Sequence, residues 1–122
     1  MKLINCTPHA IVIHTEGGVI TLPPSGNVAR LGVGPTPDVR KLVDDEGRAI
    51  RVTLPPSYEG IEGVPPYDPE SAIVVSAMVG VCAPTLLGNK WQGRVYGPDT
   101  GKDAVRNEAG HIVGVKGLIL YW

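Results

Sequence analysis

The sequence contains no phenylalanine, and aromatic residues make up only 5% of the chain. Large rings cannot dominate the interior, so any core must be built from Val, Ile and Leu. Cysteine is also scarce, with only Cys6 and Cys82 present. A small secreted scaffold stapled by disulfides needs more, and the opening Met1-Lys2-Leu3-Ile4-Asn5 is not a secretory signal. Both cysteines are therefore expected as free thiols in a reducing cytoplasm. No apolar run approaches the length of a membrane span, so no membrane partner is expected. An excess of one charge is missing too: 11 Lys+Arg against 12 Asp+Glu leave a net charge of −1. Duplex-binding domains carry a basic surplus, which disfavours duplex nucleic acid as a partner. A small anionic ligand needs only two or three local donors and stays open.

Catalytic and metal-binding patterns are missing as well. His9, His14 and His111 are isolated on different elements, and no His/Cys pair has zinc-ligand spacing, so no metal is expected. No nucleophile elbow, phosphate-binding loop or dinucleotide fingerprint occurs. Gly32-Val33-Gly34 is followed by Pro35 and reads as a loop. Glu59, Glu62, Asp68 and Glu70 are acidic, but nothing sets two of them across a cleft. Asp44 to Gly47 reads as a solvated hairpin tip without the oxygen spacing of a calcium loop. Cys82 has no activating histidine nearby and fits a buried thiol. These absences point to binding or assembly without enzymatic activity or a cofactor.

What is present is an apolar fraction of 43% punctuated by 16 Gly and 12 Pro. Many short elements and many turns follow, and the expected class is α+β, mostly β: a compact antiparallel β domain with one short helix and a C-terminal β-hairpin, a single domain over residues 1–122. Strands are expected at Lys2–Asn5, Ala10–Thr15 and Val19–Leu22, joined as a meander. Val28–Leu31 and Ala49–Thr53 are further strands, and Leu31–Pro37 is a connector. Asp38–Val43 is ambiguous between a strand and a helical turn, and Ser57–Glu70 reads as a long loop. Thr21-Leu22-Pro23-Pro24-Ser25 recurs as Thr53-Leu54-Pro55-Pro56-Ser57, an echo explained by Pro-Pro ending strands. Ala72–Val75 is continuously apolar, as in a strand buried on both faces. Ser76 is placed to cap a helix over Ala77–Cys82 or slightly beyond, limited by Pro84, with Met78, Val79 and Cys82 as its core-facing stripe. Leu86–Gly93 is a loop, and Arg94–Tyr96 starts the closing segment. Asn107-Glu108-Ala109-Gly110 supplies the turn of the C-terminal hairpin, which holds Arg106 and Asn107 at a sheet edge suited to anion recognition. Trp122 and the last strand are candidates for packing against another subunit.

An ordered set of short motifs spans nearly the whole chain: Asn5-x-Thr7-Pro8-His9-Ala10, then Leu22-Pro23-Pro24-Ser25-Gly26-x-Val28-Ala29-Arg30, then Ile73-Val74-Val75-Ser76. Pro98-Asp99-Thr100-Gly101 and Val105-Arg106-Asn107-Glu108-x-Gly110-x-Ile112-x-Gly114-Val115 complete it. Together these resemble a family of small phage and prophage proteins, and within it the first type of Thoeris anti-defence proteins. The resemblance implies a non-enzymatic "sponge" in the infected bacterial cytoplasm. Such a protein sequesters glycosylated cyclic ADP-ribose signals, and in some cases cyclic oligonucleotides, in pockets between subunits of a homo-oligomer, a dimer or hexamer. By position it assigns ligand contacts to Asn89 and Arg106. The family's adenine-stacking aromatic would fall near Met78 or Val79, where this chain has none, leaving Trp91 or Tyr96 as substitutes. Arg30, Lys90 and Arg106 could meet a pyrophosphate, with Ser25, Gly26, Asn89 and Asn107 on ribose and base edges. The alternatives are a phage structural or assembly protein with no small ligand and, well behind, a nucleotide-degrading enzyme.

Overall fold

The apolar run that the sequence assigns to a doubly buried strand lies at the centre of the main sheet. In the computed structural model, which describes residues 1–35, 38–102 and 104–122, the strands in chain order are β1 (Lys2–Asn5), β2 (Ile11–Thr15), β3 (Gly18–Leu22), β4 (Arg30–Val33), β5 (Val39–Val43), β6 (Ala49–Thr53), β7 (Tyr58–Glu62) and β8 (Ser71–Val74). The helix α1 (Ala77–Leu86) and a 3-10 turn at Asn89–Trp91 follow, and then β9 (Val95–Pro98), β10 (Val105–Arg106), β11 (Ile112–Gly114) and β12 (Leu118–Leu120). Thr36 and Pro37 of the expected connector, and Asp103 in the loop before the C-terminal hairpin, lie outside the described residues.

Every residue of β8 is buried. Ile73 and Val75 face a layer made by Val79 and Ala83 of α1 with Trp91 and Val95. Val74 faces the opposite layer, beside Ile11, Ile13 and Val115. Each such side chain stabilises the fold by about 1.5–3 kcal/mol. The exposed Asp44–Arg48 ion pair contributes about 0–1 kcal/mol, so the layers around β8 hold the domain together.

The fold is α+β and mostly β, with one α-helix and several antiparallel sheets among the described residues. Antiparallel pairing holds for β2–β3, β4–β7, β5–β6, β9–β12 and the C-terminal hairpin β10–β11. The main sheet runs β1-β8-β9-β12, and its centre is parallel, at β1–β8 and β8–β9. A parallel pair needs a long crossover, and α1 supplies it between β8 and β9.

Several expectations are corrected. β1 does not join a meander with β2 and β3 but pairs with β8, far along the chain. Residues 57–70 are not one loop, because β7 pairs with β4, and Gly32-Val33 belong to β4. The ambiguous segment at 38–43 is the strand β5. The helix runs through Pro84 to Leu86; proline has no N–H, so the last turn forgoes the bond to the Gly80 carbonyl. The buried stripe of α1 is Val79, Gly80 and Ala83, whereas Met78 is 58% exposed and Cys82 half-buried. Gly80 is needed there: a Cβ on it, or on Gly97 of β9, would enter the ring of Tyr121. Trp122 is half-buried within its own chain, its carbonyl accepting the N–H groups of Arg94 (3.0 Å) and Val95 (3.1 Å).

Asn5 fixes the end of β1 against the turn that follows it and against the end of β3. It is 2% exposed. Its Nδ2 donates to the carbonyls of His9 (2.8 Å) and Leu22 (3.0 Å), and its Oδ1 accepts the Thr7 N–H (3.0 Å) and hydroxyl (2.7 Å). All its hydrogen-bonding capacity closes the 5–9 turn and ties the end of β3 to β1. Net values near 1 kcal/mol per bond over its four side-chain bonds predict that Asn5→Leu, of similar size, lowers stability by about 4 kcal/mol. Urea unfolding of the variant should show a clearly lower midpoint at an unchanged slope; an unmoved midpoint would remove Asn5 as the tie.

Candidate functional site

Three strands of the main sheet run parallel, so their carboxyl ends share one rim: Asn5 of β1, Val74 of β8 and Pro98 of β9. Ligands in sheets with parallel strands gather at that rim, because the loops and the crossover helix begin there. The residues that follow each strand, Thr7, Ser76 and Thr100, line cavities here.

Two cavities adjoin. The larger, about 440 Å³, has His9 and Thr100 among its polar groups and Ile112 and Val113 of β11 on its apolar wall. The smaller, about 300 Å³, is lined by Cys6, Arg30, Met78 and Val79. Thr7 and Ser76 line both. Volumes of this order suit a small molecule.

Ser76 occupies the N-cap of α1, but its side chain makes no capping bond, contrary to the role assigned from sequence. The exposed hydroxyl therefore stands free on the wall between the cavities. The first turn of α1 contains no acidic residue, so its leading N–H groups present positive partial charge to the same rim. Thr7, in contrast, is committed to Asn5 and to the carbonyl of His9. Cys6, 1% exposed, has its thiol pKa pushed up to about 11, chiefly by burial and against the opposing effect of the Ser25 hydroxyl.

The residues singled out from sequence fall into separate places. Arg30, Met78 and Val79 come together in the smaller cavity. Ser25 donates to the Asn5 carbonyl (2.7 Å) and, with Asn27, faces a third cavity that contains Lys2. Gly26 turns the chain beside it with φ 94°. Asn89 and Lys90 lie before β9, at the other end of α1, which is about 15 Å long; Lys90 Nζ sits 5.2 Å from the Tyr67 ring centroid. Arg106 stands opposite Ile112, a wall residue of the larger cavity, and its guanidinium donates to the Gly110 carbonyl (2.8 Å). Asn107 Oδ1 accepts the N–H groups of Ala109 and His111 (both 3.0 Å), which closes the turn. Trp91 packs edge-on against Tyr67, and the Tyr96 hydroxyl donates to Gly93; neither lines the paired cavities. Sequence reasoning missed Thr100 and the cavity role of Ser76. Their shared signal is position directly after a parallel strand, which becomes visible only once the strand pairing is known.

Among the described residues, no group of three or more His, Cys, Asp or Glu side chains is placed to hold a metal ion, and no helix is long and apolar enough to cross a membrane. Comparison with known protein families, with curated proteins and with solved structures finds no match.

Burial of the Cys6 thiol has two measurable results. A thiol reagent at pH 8 should label Cys82, which is half-buried, well before Cys6; equal rates would contradict the buried placement. The folded pKa lies above the thiol's ordinary value of 9.0, so the contribution of Cys6 is complete below pH 9 and is lost as pH rises toward 11. Urea midpoints measured across that window should fall more steeply for the native chain than for Cys6→Ala, which shares every other titrating group.

Proposed function

We propose that this protein is a non-enzymatic binding protein that sequesters an anionic cyclic nucleotide-type signal, of the glycocyclic ADP-ribose or cyclic oligonucleotide kind, as a phage anti-defence protein in the infected host cytoplasm. The observation that supports this best is the pair of adjoining cavities at the strand carboxyl ends, with Arg30 in one and the uncapped start of α1 between them. A guanidinium and helix N–H groups suit a phosphate. The apolar wall and Met78 suit a base or ribose face, and Arg30 offers a plane on which a base can stack. The thiol of Cys6 stays protonated near neutrality, and the free polar groups of the rim, Ser76, His9 and Thr100, suit recognition. The motif resemblance supplies the ligand class.

The test is calorimetric titration with glycocyclic ADP-ribose, followed by heat denaturation and chromatography of the released ligand. Tight binding with intact ligand is expected. Losing a charge-assisted contact weakens binding by about 1.5–3 kcal/mol, so Arg30→Ala should raise Kd by at least about tenfold. A changed product would make the protein an enzyme, and full affinity in Arg30→Ala would move the site elsewhere.

One observation favours a structural or assembly role instead: the β5–β6 hairpin exposes Val39, Leu42, Val43 and Ile50. That reading requires the protein in purified virions and no heat with any cyclic nucleotide.

A further inference from the structure

The β5–β6 hairpin pairs with no other strand among the described residues. Its apolar side chains are open, with Leu42 56% and Val43 62% exposed. An isolated two-stranded hairpin is at best marginally stable in water; three strands or more are needed.

The ladder shows which edge is free. The Asp44 N–H donates to the Arg48 carbonyl (3.0 Å) and the Leu54 N–H to that of Asp38 (3.1 Å). Antiparallel alternation then turns the backbone groups of Arg40 and Leu42 toward β6, and those of Val39, Lys41 and Val43 to the open edge of β5. Lys41 lies directly opposite Arg51, a like-charge pair that weakens the hairpin by itself.

We propose that β5 pairs antiparallel with β5 of a second copy of this chain, about a two-fold axis through Leu42. In that register Lys41 and the partner's Val43 exchange hydrogen bonds through their outward groups, and the reciprocal pair does the same. Leu42 meets the partner's Leu42 at a non-hydrogen-bonded position. Arg40 meets the partner's Asp44, and two-fold symmetry makes that opposite-charge contact twice. Asp44, held by Arg48 at 2.7 Å, keeps carboxylate lone pairs for the second guanidinium. The neighbouring registers fare worse. An axis at Arg40 or Lys41 sets like charges face to face, and one at Val43 sets Leu42 against a carboxylate. Two other edges are poorer candidates. β6 carries Arg51 and is preceded by Arg48, so self-pairing there gains no attraction, and β12 offers only 3 residues. The joined arms form a four-stranded sheet with Leu42, Ile50 and Val52 of both copies on one face. This assignment is independent of the proposed ligand.

Light scattering on a sizing column tests it. The native chain should elute with twice its 12.9 kDa mass. Lys41→Pro removes an N–H that the hairpin itself does not use, and Arg40→Glu turns two attractions into repulsions. Each should weaken dimerisation by about tenfold or more, with circular dichroism unchanged for Arg40→Glu. A facing Leu42 pair would lie about 4.5 Å apart at Cα, within disulfide reach, so Leu42→Cys should cross-link on oxidation and Ile50→Cys, one strand further out, should not. If Lys41→Pro melts the arm, Arg40→Glu and the cysteine pair still decide. A monomeric native chain, or a dimer that Arg40→Glu leaves intact and Leu42→Cys does not cross-link, overturns the proposal.

Discussion

The buried amide of Asn5 is the constraint on which the rest of the arrangement depends. Its four hydrogen bonds hold the turn after β1 closed and fix the end of β3 against it. The Asn5 carbonyl is held as well, by the N–H (3.0 Å) and hydroxyl (2.7 Å) of Ser25. Residues distant in sequence thus converge on one point in space. With β1 anchored there, the adjacent Cys6 N–H reaches the Val74 carbonyl (2.8 Å) and extends the parallel pairing with β8 past the strand's end. A buried amide is costly unless fully satisfied, so this centre favours one geometry over its alternatives.

Most of the elements were legible because they rest on local chemistry. The alternation in Ile11–Thr15, the Gly17-Gly18 hairpin and the Asn107–Gly110 turn use nearest-neighbour rules, and the structure has each. β8 was legible because a run apolar at every position has few places to go. What stayed hidden depends on contacts between distant segments. β7 contains two glutamates and a glycine among five residues, a poor strand by propensity, and it forms because β4 offers it an edge. β1 looks like the first strand of a meander until its parallel pairing with β8, far along the chain, is known. The helix register was misread for a simpler reason: α1 is uncharged throughout, so polarity cannot mark its outward face, and a glycine, Gly80, marks the buried side by making room for Tyr121.

The site was legible in fragments. Arg30, Met78 and Val79 come from segments nearly 50 residues apart, yet they share a cavity, because β4 packs against α1 on the same side of the sheet. The motif containing Arg30 was visible; its partner surface was not. Asn89 was grouped with them by its position in the motif set and Lys90 by its charge, and α1 separates the two places by its full length. Side-chain chemistry says what a residue can do. The direction of the strand before it decides whether that chemistry reaches the rim.

Commitment of hydrogen bonds separates the groups at that rim. Thr7 and Ser25 carry hydroxyls that serve the Asn5 centre, and Arg106 and Asn107 are engaged in their own turn. Ser76 is different: helix starts ordinarily spend a serine on the first free N–H groups, and here it does not cap. The same event leaves two donors unspent, the hydroxyl and the helix N–H it would have satisfied, both beside Arg30 and the wall shared by the two cavities. A helix start without its cap forgoes about 0.5–2 kcal/mol of stability. A phosphate seated there would restore that contribution on binding, which is the physical reason the proposed anionic ligand is placed at this turn.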